Sequence, residues 1–156
     1  MHIRLDDLRS PQVVSFLQAH LQDMRAVSPP ESKHALDVEA LQQPDVQFWT
    51  LWMGKDLLGC AALKRLSALD AELKSMRTKA HARKQGIGTL MLNHVLEQAR
   101  LQGYRRISLE TGSMPFFAPA RRLYQRFGFV PCPPFASYRP DPNSVFMTLL
   151  LLDAGA

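Results

Sequence analysis

Seven consecutive residues, Arg83-Lys84-Gln85-Gly86-Ile87-Gly88-Thr89, hold the chemistry of an anion-binding turn. A helix leaves its first N–H groups unpaired and carries the positive end of its dipole at that end. Glycines at the approach remove the side chains that would keep an anion away from those donors. Lys74, Arg77, Lys79, Arg83 and Lys84 crowd the same region, and no Asp or Glu occurs between Glu72 and Glu97, so the local field is positive. The chemistry this suggests is the cradling of a pyrophosphate. A tight turn flanked by solvated charges would use the same residues, and the pattern alone does not separate the two. Other phosphate motifs fit worse. There is no Gly-x-x-x-x-Gly-Lys-Ser/Thr, and Met91 stands where a dinucleotide fingerprint needs its third glycine.

The elements that must position this turn can be read on either side of it. Upstream, Ala71 to Thr78 is a buried strand. Downstream, Gly88 to Gln102 is a helix that places Met91, Leu92, Val95, Leu96 and Ala99 on one face, with Ile87 at its start and Gly103 at its end. Going back to the beginning, His2 to Leu5 alternates as a strand. Pro11 to Val27 is a helix after Ser10, and Lys33 to Gln43 a second, shorter one beyond the Pro29-Pro30 break. Phe48 to Met53 and Leu57 to Leu66 flank Gly54-Lys55-Asp56 as a hairpin, and a turn at Ser67 to Asp70 leads into the strand before the cradle. Beyond the central helix come a strand at Arg106 to Thr111, a helix at Ala118 to Phe127, and strands at Phe129 to Cys132 and Val145 to Leu152. This order predicts an α/β chain of the α+β kind, a mixed sheet rather than a doubly wound one.

Composition sets the bounds. A chain of 156 residues, 46% hydrophobic, suits one domain spanning 1–156 with a full core. Nineteen Lys plus Arg against 14 Asp plus Glu give a net charge of +5, which suits a polyanionic ligand and suits simple solubility equally well. Cys60 and Cys132 form neither a disulfide framework nor a zinc spacing, so no metal is expected and a reducing cytoplasm is the expected location. The N-terminus has no apolar leader, and the longest greasy run, Val145 to Leu152, is too short to span a bilayer, so no membrane partner is expected. Nucleic acid is not expected either, because no aromatic platform is interleaved with the basic run.

Arg83-x-x-Gly86-x-Gly88 resembles the cradle of the GNAT superfamily of acyl-CoA-dependent N-acyltransferases, and the order of elements is the one found there. The resemblance covers nearly the whole chain. It implies a largely antiparallel sheet whose fourth and fifth strands splay apart, with acetyl-CoA as co-substrate and its pyrophosphate held by the main-chain N–H groups of Arg83, Lys84, Gln85, Gly86, Ile87, Gly88 and Thr89. The pantetheine arm would pair with Met76, Arg77 and Thr78, and a backbone N–H of Met76 or Arg77 would face the thioester carbonyl. Ala80 and Lys84 depart from the family pattern, where proline and glycine are common. Ala120-x-x-Leu123-Tyr124-x-x-x-Gly128-Phe129 matches a second family pattern. Periodicity alone makes Tyr124 a core aromatic, whereas the resemblance makes it the catalytic group that protonates the departing CoA thiolate. Phe117 stands at a cofactor-contacting position where many relatives carry Asn. Arg122 and Arg126 read as phosphate contacts or solvated surface charges, with surface the favoured reading.

For the base that deprotonates the acceptor amine, Glu72 early in the fourth strand is the strongest candidate, by resemblance to a glutamate used by some relatives. A carboxylate simply paired with a basic neighbour is its plain alternative. His81 and His34 are weaker candidates. Ser28-Pro29-Pro30-Glu31-Ser32-x-His34-Ala35-Leu36-Asp37, Leu109-Glu110-Thr111-Gly112-Ser113 and the late Pro133-Pro134-Phe135-Ala136-x-Tyr138 segment resemble a bacterial GNAT branch, the YsnE-like proteins. On that resemblance Glu31, His34, Thr111 and Tyr138 belong to the acceptor side, with 28–37 as its lid. The expected function is transfer of acetyl from acetyl-CoA to the amine of a small molecule by direct attack in a ternary complex. A protein or peptide amine as acceptor, a CoA sensor without turnover, and a homodimer as the assembled form are the alternatives carried with it.

Overall fold

The computed structural model describes residues 1–27, 38–79 and 86–151. Within them, strand β1 (His2–Leu5) leads into helix α1 (Pro11–Val27) and the single turn α2 (Val38–Leu41). Strands β2 (Val46–Met53), β3 (Asp56–Arg65) and β4 (Asp70–Thr78) follow as a meander. Helix α3 (Ile87–Leu101), strand β5 (Arg106–Gly112), helix α4 (Ala118–Arg126) and strands β6 (Val130–Pro131) and β7 (Ser144–Leu150) complete the order. The seven strands make one sheet in the order β1-β2-β3-β4-β5-β7-β6. Only β4 and β5 run parallel; every other pairing is antiparallel.

The helical spacing of α3 is what the core uses. Ile87, Met91, Leu92, Val95, Leu96 and Ala99 are all buried, against Leu58, Leu63, Leu73 and Leu109 of the sheet. Gly86 starts the helix at φ 78°, and Gly103, at φ 87°, ends it; both are left-handed conformations that a Cβ disfavours. On the opposite face α1 and α2 bring Val13, Leu17 and Leu41 onto Phe48, Trp52, Leu57 and Cys60. No described helix is long and apolar enough to cross a membrane.

Two irregularities place the site. First, β4 and β5 pair only at Asp70–Glu72 with Arg106–Ser108, and β5 then follows β7 along its whole length. The downstream part of β4 is therefore free of β5, and a gap opens between them. Second, β4 carries a bulge. Cys60 pairs with Arg77 and Ala62 with Lys74, so Ser75 and Met76 together face Ala61. Ser75 sits at φ 55°, and its carbonyl takes a hydrogen bond from Cys60 Sγ at 3.1 Å. The extra residue reverses the strand's alternation. Ala71 and Leu73 face the α3 core and Glu72 and Lys74 the other side, yet Met76 packs on the α3 core.

The elements fall where periodicity puts them, with differences at the ends. The β6 ladder is Val130–Pro131 rather than 129–132, because the Phe129 side chain is drawn into the core and its N–H bonds Tyr124 O. β7 begins at Ser144 and ends at Leu150. The described part of the second helix is Val38–Leu41, after which Gln42 and Gln43 form a turn. A short 3-10 turn, Pro115–Phe117, runs directly into α4.

Candidate active site

A cleft of about 620 Å³ lies beside the end of β4 that β5 leaves unpaired, between that end, the start of α3 and the 116–126 segment. Met76, Arg77 and Thr78 of β4 form one wall, Gly86, Gly88 and Thr89 at the start of α3 another, and Phe117 and Tyr124 a third. Seven of these eight lie on three separate elements and were singled out in sequence as cofactor contacts; Tyr124 was singled out as the acid. Ile87 does not line the cleft. It is fully buried in the α3 core, so it could offer only its backbone. Arg83, Lys84 and Gln85 lie outside the described residues, as do Glu31, His34, His81 and the 28–37 segment.

Of the turn expected to bind an anion, the structure describes the part from Gly86 onward. Among the described residues no side chain caps α3, and the first N–H to close the helix is that of Leu90, bonded to Gly86 O at 3.1 Å. The preceding N–H groups are those that a helix leaves unpaired. A Cβ at Gly88 would stand 3.0 Å from Leu123 Cδ2 and 3.7 Å from Met76 Cε, inside the cleft. Arg122 and Arg126 are exposed, as expected, and also line the cleft from α4. They add positive charge at the end where an anion would enter. Their signal was in the sequence, since i and i+4 on a helix share a face.

Tyr124 is 7% exposed and stacks edge-on against Phe129 at 5.7 Å, so it belongs to the core and lines the cleft as well. Burial raises its phenol to about 12, which keeps it protonated. α4 is fastened in place by a joint that sequence reasoning missed. Arg121 Nη1 donates to Gly112 O and Met114 O at the end of β5, and the Phe117 ring lies directly on Gly112, where no Cβ could fit.

The second cluster lies on the opposite sheet face. Glu72 is 3% exposed, and its Oε2 accepts a 2.6 Å hydrogen bond from Tyr138 Oη. Lys74 Nζ stands 3.8 Å from the same oxygen and donates to Tyr138 Oη at 3.5 Å. Glu72 thus has the basic neighbour of its plainer reading, together with a phenol that donates to it. On β5, Glu110 accepts from Ser144 Oγ at 2.8 Å. Phe135, Tyr138 and Phe146 contact one another above these groups. Burial first, then the charges and hydrogen bonding of the neighbouring glutamates, raise the Tyr138 phenol well above its usual range. Thr111, expected on the acceptor side, pairs with Val145 in the β5–β7 ladder.

Comparison with known proteins gives the family. Residues 13–129 match the Acetyltransferase (GNAT) family. The chain belongs to the GNAT family. It is 53% identical to an uncharacterized N-acetyltransferase, YsnE, of Bacillus subtilis, over 95% of this chain and 98% of that one. It is 44% identical to another, YedL of Escherichia coli K12, over 97% and 95%. Among solved structures, a GNAT-family acetyltransferase from Staphylococcus aureus aligns at TM-score 0.74 and 19% identity, covering 97% of this chain and all of that one. A GNAT acetyltransferase from Elizabethkingia anophelis with acetyl-CoA bound aligns at TM-score 0.69 and 18% identity, covering 96% and 97%. The fold is the GNAT fold, and the protein is an N-acetyltransferase.

Proposed function

We propose that this acetyltransferase binds acetyl-CoA in the cleft beside the unpaired end of β4 and acetylates the amine of a small molecule that approaches from the opposite sheet face. Bound there, the co-substrate would supply an acetyl thioester; the residues of the chain do the rest. The N–H groups at the start of α3 hold the pyrophosphate, with Arg122 and Arg126 adding charge at the mouth. The free edge of β4 at Met76, Arg77 and Thr78 would offer main-chain groups to the pantetheine arm, and an N–H of Met76 or Arg77 would stabilise the carbonyl oxygen where negative charge collects. Tyr124, protonated at neutral pH, donates to the sulfur as it leaves. Glu72 takes the proton from the amine. No metal takes part in this scheme.

The single observation that carries the reading is the cleft that joins the unpaired end of β4 to the start of α3 and to the buried Tyr124 phenol. The test is release of thiol from acetyl-CoA by the purified protein against spermidine, kanamycin, the L-amino acids and a peptide with a free N-terminus. Turnover with a small amine supports the proposal. Turnover with the peptide alone replaces the acceptor class, and tight acetyl-CoA binding without turnover on any amine contradicts the enzymatic reading.

A further inference from the structure

We propose that Tyr138 and Lys74 form a fixed array of donors that aims the Glu72 carboxylate, which makes Tyr138 a positioning residue rather than part of the surface that binds the acceptor. The proposal rests on the reading of Glu72 as the proton acceptor. An ammonium can only donate and a carboxylate can only accept, whereas a phenol does both. The three groups therefore order in one sense: Lys74 Nζ donates to Tyr138 Oη at 3.5 Å, and Tyr138 Oη donates to Glu72 Oε2 at 2.6 Å. The second distance is that of a charge-assisted hydrogen bond, the stronger kind.

The phenol is the fixed member of the array. It stands on the 132–143 connection, where Tyr138 N–H bonds Phe135 O at 3.0 Å and Ala136 turns the chain at φ 52°. Its ring contacts Phe135 at 5.2 Å and Phe146 at 5.7 Å between centroids. The far end of the connection is tied to the end of β5, where Ser113 N–H donates to Asn143 O at 3.0 Å and Ser113 Oγ to Pro142 O at 2.9 Å. Glu72 has a flexible side chain and takes its position from this frame. Its Oε2 is held by Tyr138 and faced by Lys74, which leaves Oε1 as the oxygen that would take the proton.

The groups around the array keep its direction. Lys74 adjoins on β4 itself, Lys64 faces Glu72 across the β3 ladder and Ser108 across the β5 ladder, and Glu110 acts on Tyr138 from β5. Two carboxylates beside the phenol oppose its ionisation, so it remains a donor.

A double-mutant cycle tests this with acetyl-CoA and the fastest amine of the panel above, and independently with water as acceptor through acetyl-CoA hydrolysis. Tyr138→Phe keeps the ring contacts and should lower kcat at least about tenfold, as for a lost hydrogen bond to a charged group, with acceptor KM within about twofold. Lys74→Met should lower kcat about threefold. It leaves the 132–143 connection intact and so serves should Tyr138→Phe fold poorly. In the Glu72→Gln background each change should cost less than about twofold, because groups that act through one another are not additive. Losses that multiply on a background already slowed by Glu72→Gln overturn the array alone. So does a Tyr138→Phe enzyme with raised KM and wild-type kcat. A wild-type kcat in Glu72→Gln overturns the base reading, and the catalytic role of the array with it.

Discussion

Replacing Tyr124 by phenylalanine separates the two roles its position allows. The ring is buried against Phe129 and stays so in the variant, which loses one oxygen only. No described residue bonds that hydroxyl, so its removal should cost little stability, under about 1 kcal/mol. The catalytic effect can be worked from the phenol's raised ionisation. A group at about 12 is ionised in about one molecule in 10⁵ at neutral pH, so a donor is available in essentially every turnover. The same elevation makes full proton delivery to a thiolate, ordinarily near 8.5, unfavourable early in the reaction. Its main contribution is then one hydrogen bond to developing charge, about 1.5–3 kcal/mol. At about 1.4 kcal/mol per factor of ten, Tyr124→Phe should lower kcat about 10- to 150-fold, with acetyl-CoA affinity unchanged. The assay is steady-state thiol release, with a melting curve and a calorimetric titration of CoA beside it. Wild-type kcat in the variant would remove Tyr124 from the mechanism. A large fall in melting temperature with CoA binding lost would assign it to packing.

Two further outcomes follow from the same structure. Arg122→Gln combined with Arg126→Gln should weaken CoA about tenfold at low salt, and less at 0.5 M salt, where interactions between exposed charges are screened; equal affinities for variant and wild type at low salt would return both arginines to the solvated surface. His94, edge-on to Trp49 at 5.3 Å with its Nε2 enclosed and unpartnered among the described residues, has its pKa lowered by burial. The unfolded chain therefore binds the proton more readily, and the stability His94 contributes is present above the unfolded value of 6.5 and lost as pH falls below it. Melting temperature should drop less between pH 7.5 and 5.5 in His94→Gln than in the wild type, and equal drops would contradict this.

What the sequence disclosed and what it hid follow from range. The α3 face, the Gly54 hairpin and the Gly103 and Gly128 stops depend on spacing within one element, and each stands where it was expected. Ser75 is different. A non-glycine residue at φ 55° is imposed by pairing with β3, and nothing in Leu73-Lys74-Ser75-Met76 announces it. The partnership of Glu72 with Tyr138 joins residues 66 apart in sequence, so periodicity was silent on it. Glu72 was legible as a carboxylate in the right strand, not as one already held. Arg122 and Arg126 were assigned to solvent because charge on a helix usually is; that they share a face with Pro119 and Leu123 became meaningful only once that face bordered the cleft.

The central claim is that the uncapped start of α3 holds a CoA pyrophosphate, and the most direct measurement is calorimetric titration of CoA into Gly88→Val. The added Cβ would meet Leu123 Cδ2 at 3.0 Å, the movable end of a side chain, so the fold can absorb it while the cleft cannot. A melting curve verifies that the variant is folded. The account predicts CoA affinity reduced at least about 30-fold, which is about 2 kcal/mol. Wild-type affinity in a folded Gly88→Val protein would contradict it.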